Sequence, residues 1–561
     1  MKKIFLLFTS FLFAQNQIPI PTIISGNSIN LNVHTSTVPF LTGTATNTFG
    51  FNSFSYLGPT ILLNKNQLAN ISITNQIGET TAFHFHGMHV DPMNDGGPHN
   101  PIVNGSTWNP QFTVLDKAGT YWYHPHLDAK TAEHAMKGAV GFIIVKDDEE
   151  AVLPLPRTYG VDDFPIVIQS AQLNEFNQFM PRGMEDSLTF INGVRSNYGQ
   201  SAMLNVPSQI IRLRLLNGAG ERTFNIGLSN NKEFKIIGSD GGLLSNPISS
   251  TRISISPGER YEVLVDLTGM EGQALQVINY GSEIPMGVQG GPTMPMPPGS
   301  PPMDSPLNGA DFNLFQLNVI NQTANPILSI PSSLVTVTRF AESEATNTRQ
   351  INMTAVDPMS MDGPFYFNGS LFNMSTINFT IPLNSVEIWS LTNQTMVAHP
   401  FHLHDEQFYI LDRDGNMPAN FEMGRKDVVL VSPNETVRII TKFEDFSDEN
   451  MPYMYHCHVL MHEDDGMMGQ FIVSSSLNTK DNVKTVPVKL YPNPVISSFS
   501  VDVEEINKEY DIRIIDPSGK VVFSANNKKE KNIEIDTLDS GSYIVLIKVD
   551  DVYYSSKIIK Q

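Results

Sequence analysis

Four short clusters of histidine constrain this chain more than any other feature. They are His84-Phe-His86, His124-Pro-His126, His399-Pro-Phe-His402-Leu-His404 and His456-Cys457-His458, with His462 four residues further on. Together they hold ten of the fourteen histidines. Side chains on an extended strand alternate faces, so two histidines one residue apart project to the same side. His456 and His458 then share a face, and Cys457 points to the other. His399 stands an odd step from His402 and so faces away from His402 and His404, if the strand runs through Pro400. One side gathers His399, Cys457 and His462; the other gathers eight histidines. The chain must supply several strands that meet.

The rest of the sequence supports an all-β fold. Runs such as Pro59-Thr-Ile-Leu-Leu63, Gln209 to Leu216, Tyr261-Glu-Val-Leu-Val265 and Glu387-Ile-Trp389 are β-rich and bounded by Gly, Pro or Asn. Helical periodicity is scarce, with Ala129 to Lys137 the best short candidate. With 561 residues the chain is long enough for about three or four domains. Its single cysteine excludes an intramolecular disulfide, cysteine-rich zinc modules and cysteine-held iron–sulfur clusters. A formal charge of −21 is the wrong sign for a nucleic-acid binder. Lys2 and Lys3, the apolar run Ile4 to Phe13 and Ala14 read as a secretory signal peptide, residues 1–14, too short to span a bilayer. No later stretch is long and apolar enough to be a membrane span. The expected setting is therefore outside the cytoplasm: periplasmic, cell-surface or secreted.

The cysteine-containing face is a His₂Cys set, and Met467 lies ten residues beyond Cys457. Two histidines, a thiolate and a weak axial thioether are the ligands of a blue-copper site. Eight imidazoles without a thiolate can hold three further coppers and leave positions open for dioxygen. Cys457 would join the two groups through its flanking histidines. Zinc is the competing reading of any His/Cys cluster, but a tetrahedral site needs four ligands and no division into two faces. A copper carrier or sequestering protein without turnover remains open on these residues. A two-domain copper nitrite reductase does not suit the paired His-X-His sets.

Over roughly residues 45–475 the sequence resembles the multicopper oxidases, which include laccases, bilirubin oxidases and bacterial cuprous oxidases. The resemblance is carried by Thr120-Tyr-Trp-Tyr-His124-Pro-His126, Arg212-Leu-Arg-Leu-Leu-Asn217, Ser239-Asp-Gly-Gly-Leu-Leu244 and Pro257-Gly-Glu-Arg260. The stretch from His456 to Met468 carries it further. It implies three cupredoxin-like Greek-key β-sandwiches, with a trinuclear copper cluster between the first and third. By motif position it implies His399, Cys457, His462 and Met467 as type 1 copper ligands and His84 and His402 as type 2 ligands. His86, His124 and His458 would hold one type 3 copper, and His126, His404 and His456 the other, about four ions in all. Asp95 and Glu463 match the positions of acids expected to serve proton delivery during reduction of O₂ to water. Asp95 could instead only shape its turn, and Glu463 only orient a ligand.

The reductant is less sharply specified. Met286, Met294, Met296 and Met303 lie in the Pro/Gly-rich segment 284–306, and Met353, Met359 and Met361 follow near Asp357 and Asp362. Thioethers bind Cu(I) well, and these resemble in kind the Met-rich cover of cuprous oxidases, although Met is also a flexible core filler. Thr395-Met-Val397 lacks the acid and correctly spaced Met of those enzymes, and Asp128 stands where the family often has a third histidine. Cu(I) is the first expectation and phenols or other small reductants the second. Residues 481–561 carry 11 basic and 13 acidic residues, a balance unlike the rest. Leu490-Tyr-Pro-Asn-Pro494, Ile515-Asp-Pro-Ser-Gly-Lys520 and Leu538-Asp-Ser-Gly-Ser-Tyr543 resemble the sorting domain of type IX secretion, a small β-sandwich read by secretion machinery. A retained immunoglobulin-like module is the alternative. The expected order is 1–14, 15–150, 151–325, 326–476 with the type 1 copper, and 484–561.

Overall fold

The computed structural model describes residues 16–181, 186–196, 201–293, 305–357, 359–361, 363–475, 486–502, 509–517, 520–549 and 552–561. The candidate leader, Met294, Met296, Met303 and Asp362 lie outside these residues. The chain divides after residue 476 into two compact units.

The first unit is built from three pairs of β-sheets. In the first pair, Ile23–Ser25, Thr60–Asn64, Gly141–Lys146, Gly119–Pro125 and Phe83–His86 form one sheet in that order. Thr46–Phe51, Ser28–Val38, Leu68–Gln76 and Thr107–Trp108 form the other. The reason is legible locally: Ser28–Val38 alternates polar residues with Ile29, Leu31 and Val33, which are buried against Ile61, Leu63 and Ile143. Each such burial stabilises by about 1.5–3 kcal/mol over exposure. The second pair spans Asp163–Ile320, with a seven-stranded and a five-stranded sheet. In the third, the strands include Val386–Asn393, His399–Leu403, Val428–Val431, Tyr453–Cys457 and Met468–Ser474. Cys457 and Met467 belong to its buried core with Trp389, Phe401 and Phe471. The connecting segment packs Ile327, Ile330 and Leu334 on the middle core, then Val337 and Phe340 on the third.

Helices are few and short. Thr131–Met136 falls within the stretch with helical periodicity. Its first backbone N–H groups donate to the Asp464 carboxylate at 2.8 and 3.0 Å, so a residue of the third sandwich caps a helix of the first. In the second unit, a five-stranded sheet and a three-stranded sheet enclose Phe499, Ile512, Ile533, Val545 and Ile547. Among the described residues no helix is long and apolar enough to cross a membrane.

Candidate metal centre

Two strand pairs present the histidines. Phe83–His86 runs antiparallel to Gly119–Pro125 with His84 opposite His124. His399–Leu403 runs antiparallel to Tyr453–Cys457, with His402 opposite His456 and Phe401 opposite Cys457. The strand continues through Pro400, which is paired with Leu430 on the neighbouring strand. The odd step from His399 to His402 therefore separates them onto opposite faces.

On one face the Nε2 atoms of His126, His404 and His456 form a triangle with sides of 3.1, 3.1 and 3.2 Å. His404 donates its Nδ1–H to Asp95 Oδ2 at 2.7 Å, and His456 turns Nδ1 to the Cys457 carbonyl at 3.0 Å. His126 turns Nδ1 towards Glu463 at 3.4 Å. With the protons held outward, three lone pairs point at one another and no donor stands between them. Such a set suits a cation, because metal-bound histidines commonly donate their other ring N–H to a carboxylate or carbonyl. His84 and His402 repeat the arrangement. Their Nε2 atoms are 3.4 Å apart, and their Nδ1 atoms face the carbonyls of Asp95 and Asp427 at 2.9 and 2.8 Å. His86 presents Nδ1 to His124 Nε2 at 3.3 Å, and the His458 ring beside them has no hydrogen-bond partner at either nitrogen.

All eight rings are buried. Burial, then mutual repulsion, pushes His86, His124, His126, His402 and His456 well below the usual imidazole value. His404 falls to about 4 and His458 to about 3, both chiefly through burial. These seven rings are neutral at pH 7.

On the opposite face Cys457 Sγ lies 3.5 Å from Nδ1 of both His399 and His462. Met467 is locked beside them, its N–H donating to the His462 carbonyl and its carbonyl accepting from the Cys457 N–H. Phe365 packs its ring on both histidines. Burial pushes the Cys457 thiol up and His462 down to about 3. A thiol, two neutral imidazoles and a thioether side chain in a dry pocket suit a soft metal. His462 is 9% exposed, whereas His399 and Cys457 are fully buried. Thr395 Oγ1 lies 2.9 Å from His399 Nε2, which gives the departure at 395–397 a structural role.

Two carboxylates stand among the eight rings. Asp95 lies between His84 and His404, at 3.3 and 2.7 Å. Burial would raise it, but the charge and hydrogen bonds of His404 and His84 hold it below the usual carboxylate range. Glu463 lies between His126 and His456, at 3.4 and 3.2 Å, and accepts from the Thr131 hydroxyl at 2.6 Å. Burial, then the neighbouring Asp464, pushes it well above the usual value. Their surroundings push the two acids in opposite directions, Asp95 down and Glu463 up.

The methionines separate. Met353 is fully buried in the third core, which removes it from any Cu(I)-binding surface, while Met286 and Met359 are exposed. Met136, Met361 and Met461 line an open cavity of ≈ 100 Å³ with Glu221, Gln289 and Val397. Part of the Pro/Gly-rich segment covers this region: Ile284 and Val288 pack on Ala398, whose N–H donates to the Gly287 carbonyl. Sequence reasoning missed Asp427, whose Oδ1 lies 3.0 Å from His86 Nε2. Its partner Arg260 stood in a motif that carried the resemblance but had no role assigned.

Three sandwiches with eight imidazoles on one side of a strand and a His₂Cys set on the other define a copper-oxidase architecture. The chain belongs to the multicopper oxidase family, whose profiles match residues 32–150, 167–280 and 340–476. It is an oxidoreductase, and the family implies copper. A multicopper oxidase of Staphylococcus haemolyticus is 31% identical over 76% of this chain and 84% of that protein. A cell division protein, FtsP, of Xenorhabdus nematophila is 28% identical over 75% and 84%. Relatives thus carry names for two roles, and the ligand set rather than the fold must carry the function. Among solved structures, a laccase-like multicopper oxidase, CueO, of Ochrobactrum sp. is 30% identical, with 82% of this chain and 100% of that chain covered and a TM-score of 0.70. The McoA oxidase of Aquifex aeolicus is 27% identical, covering 82% and 99%, with a TM-score of 0.71. Residues 489–561 match the secretion system C-terminal sorting domain, which indicates export or cell-surface targeting through secretion machinery.

Proposed function

We propose that this chain is an exported oxidase that holds about four copper ions and couples one-electron oxidation of Cu(I) to four-electron reduction of O₂ to water. His399, Cys457, His462 and Met467 would hold the type 1 ion, and His84 and His402 the type 2 ion. His86, His124 and His458 would hold one type 3 ion, and His126, His404 and His456 the other. The convergence of bare Nε2 lone pairs, one peptide bond from Cys457, is the observation that carries this reading. Copper supplies the one-electron steps and the binding of dioxygen. The protein supplies the rest. His462, the most exposed of the type 1 set, offers the route for electrons to leave the reductant. Cys457 joins His456 and His458 covalently. Glu463, pushed up, is the acid placed to hold a proton beside His126 and His456, and Asp95 stays ionised to hold His84 and His404 in their ligating tautomers. Two acids pushed apart in this way can take different parts in proton transfer.

Met136, Met361, Met461 and Glu221 around the cavity support Cu(I) as reductant, since thioethers are soft ligands. A phenol is the second reading, favoured by Gln289, whose buried Oε1 has no hydrogen-bond partner and could accept from a hydroxyl. Rates of O₂ uptake separate them. If Cu(I) is the substrate, its kcat/KM exceeds those of Fe(II) and a phenol, and Met361→Leu with Met461→Leu lowers it at least tenfold. A higher value for the phenol, untouched by those substitutions, selects the second reading. No O₂ uptake with any reductant, or one copper per chain, refutes the oxidase. Cleavage after Ala14 and release to the periplasm, cell surface or medium complete the proposal.

A further inference from the structure

The middle sandwich supplies none of the twelve candidate ligands, yet it reaches the eight-histidine set through one carboxylate. Asp427, on the third sandwich, receives His86 Nε2 at 3.0 Å on Oδ1 and His402 Nδ1 at 2.8 Å on its backbone carbonyl. Arg260 of the middle sandwich grips the same carboxylate with both Nη atoms, at 2.5 and 2.6 Å. Its Nε donates to the Thr120 carbonyl of the first sandwich at 3.0 Å. Asp240 accepts the Arg260 N–H at 2.8 Å and the N–H groups of Asp427 and Val428 at 3.3 Å, and pairs with Lys426 at 2.9 Å. Asp240, Arg260, Lys426 and Asp427 are all buried. Gly87, directly after His86, has φ +82°, and a Cβ there would stand 2.3 Å from Asp427 Oδ2 and 2.6 Å from Arg260 Nη2. Gly258, two residues before Arg260, has φ +86°, and a Cβ there would stand 2.8 Å from the His458 ring.

We propose that Asp427, clamped by Arg260, is the positioning residue of the trinuclear site and selects Nδ1 as the ligating nitrogen of His86. With both oxygens accepting from Arg260, the carboxylate meets His86 as an acceptor, so it fixes the proton of His86 on Nε2 and leaves the Nδ1 lone pair free beside His124. The same residue's carbonyl fixes the proton of His402 on Nδ1. One side chain and its own backbone thus set the tautomers of ligands to two metal positions, and the middle domain holds that residue in place. Asparagine cannot replace it. If its oxygen faces His86, its amide N–H₂ opposes the Arg260 donors. If its N–H₂ faces His86, Nε2 must accept, and the proton moves to Nδ1, where it blocks the metal position.

The inference rests on the copper reading above, and the test separates the two. Full-length wild type, Asp427→Asn and Arg260→Lys are loaded with copper, and copper per chain, blue absorbance and affinity against a competing chelator are measured. Wild type that fails to take about four coppers refutes the underlying reading. Given that it does, Asp427→Asn should keep its blue centre at one per chain, while the remaining copper binds 10- to 100-fold more weakly. Arg260→Lys, which keeps the charge but loses the fork, should weaken the same copper about tenfold. Wild-type affinity in Asp427→Asn overturns the tautomer assignment, and wild-type affinity in Arg260→Lys overturns the role of the middle domain. Loss of the blue centre along with the rest in both variants shows a general structural role and also overturns the proposal.

Discussion

Removing copper should make this protein acid-labile, and the size of the effect follows from its buried imidazoles. An unfolded histidine titrates near 6.5. In the metal-free fold His404 titrates at about 4, and His458 and His462 at about 3, because burial disfavours the cation. Below pH 6.5 the unfolded chain therefore binds protons that the folded chain refuses, and stability falls as pH falls. At pH 5 each of the three has cost about 2 kcal/mol, at 1.36 kcal/mol per pKa unit. The six other ligand imidazoles pushed down act in the same direction. Asp116 and Asp405, both raised to about 6 by burial, work against this. The fold takes up their protons between pH 6 and 5, which returns about 1.4 kcal/mol each. Glu406 and Glu463, pushed up by burial, and His89, held up by Asp405 and Glu406 against its burial, oppose the loss too. The nine lowered ligand imidazoles outnumber these groups and leave a net loss, against a typical total stability of about 5–15 kcal/mol. Thermal melts of metal-free and copper-loaded protein from pH 7 to pH 5 test it. The metal-free Tm should fall by a few °C, at roughly 1 °C per kcal/mol for a unit of this size. The loaded Tm should fall much less, because bound imidazoles cannot take up protons. Equal declines in the two forms, or no decline in the metal-free form, would refute the argument.

Other perturbations address single residues. Cys457→Ser replaces the only soft anion and should abolish the blue absorbance and turnover while leaving copper on the eight-histidine face; a variant that stays blue sinks the assignment. Asp95→Asn should keep the blue absorbance but slow O₂ reduction by about 10- to 100-fold, since it loosens His404 and His84; unchanged turnover with every copper loaded would count against it. Thr395→Val keeps the shape but leaves the His399 Nε2–H without its acceptor, at a cost of about 1–3 kcal/mol. Its unfolding midpoint in denaturant should drop accordingly, and an unchanged midpoint would remove Thr395 from the site.

The ligand set was legible because strand geometry has a period of two, so sequence parity predicts which side chains share a face. His402 opposite His456, with Phe401 opposite Cys457, is the register that parity anticipates. His462 lies beyond its reach, since it belongs to the short helix Leu460–Asp464 and arrives by a turn of the chain. Met353 shows the limit of composition: in a list of methionines it looks like a soft ligand, yet its strand buries it in a core. Asp427 left no local trace. It meets His86 across 341 positions of sequence, and only the docking of three sandwiches brings it and Arg260 to that ring.

The strand Tyr453–Cys457 acts as a partition, with thiol chemistry on one side and imidazoles on the other. A slip of one residue in its pairing would exchange the two sides completely. It would place the thiolate among the histidines meant for oxygen and strand His456 in the pocket meant for sulfur. The loop from Cys457 to His462 could change length and still let a ring swing back. The tripeptide His456-Cys457-His458 has no such freedom. Its register is therefore the least negotiable dimension in the molecule, and insertions that the surface loops would absorb should be lethal to function there.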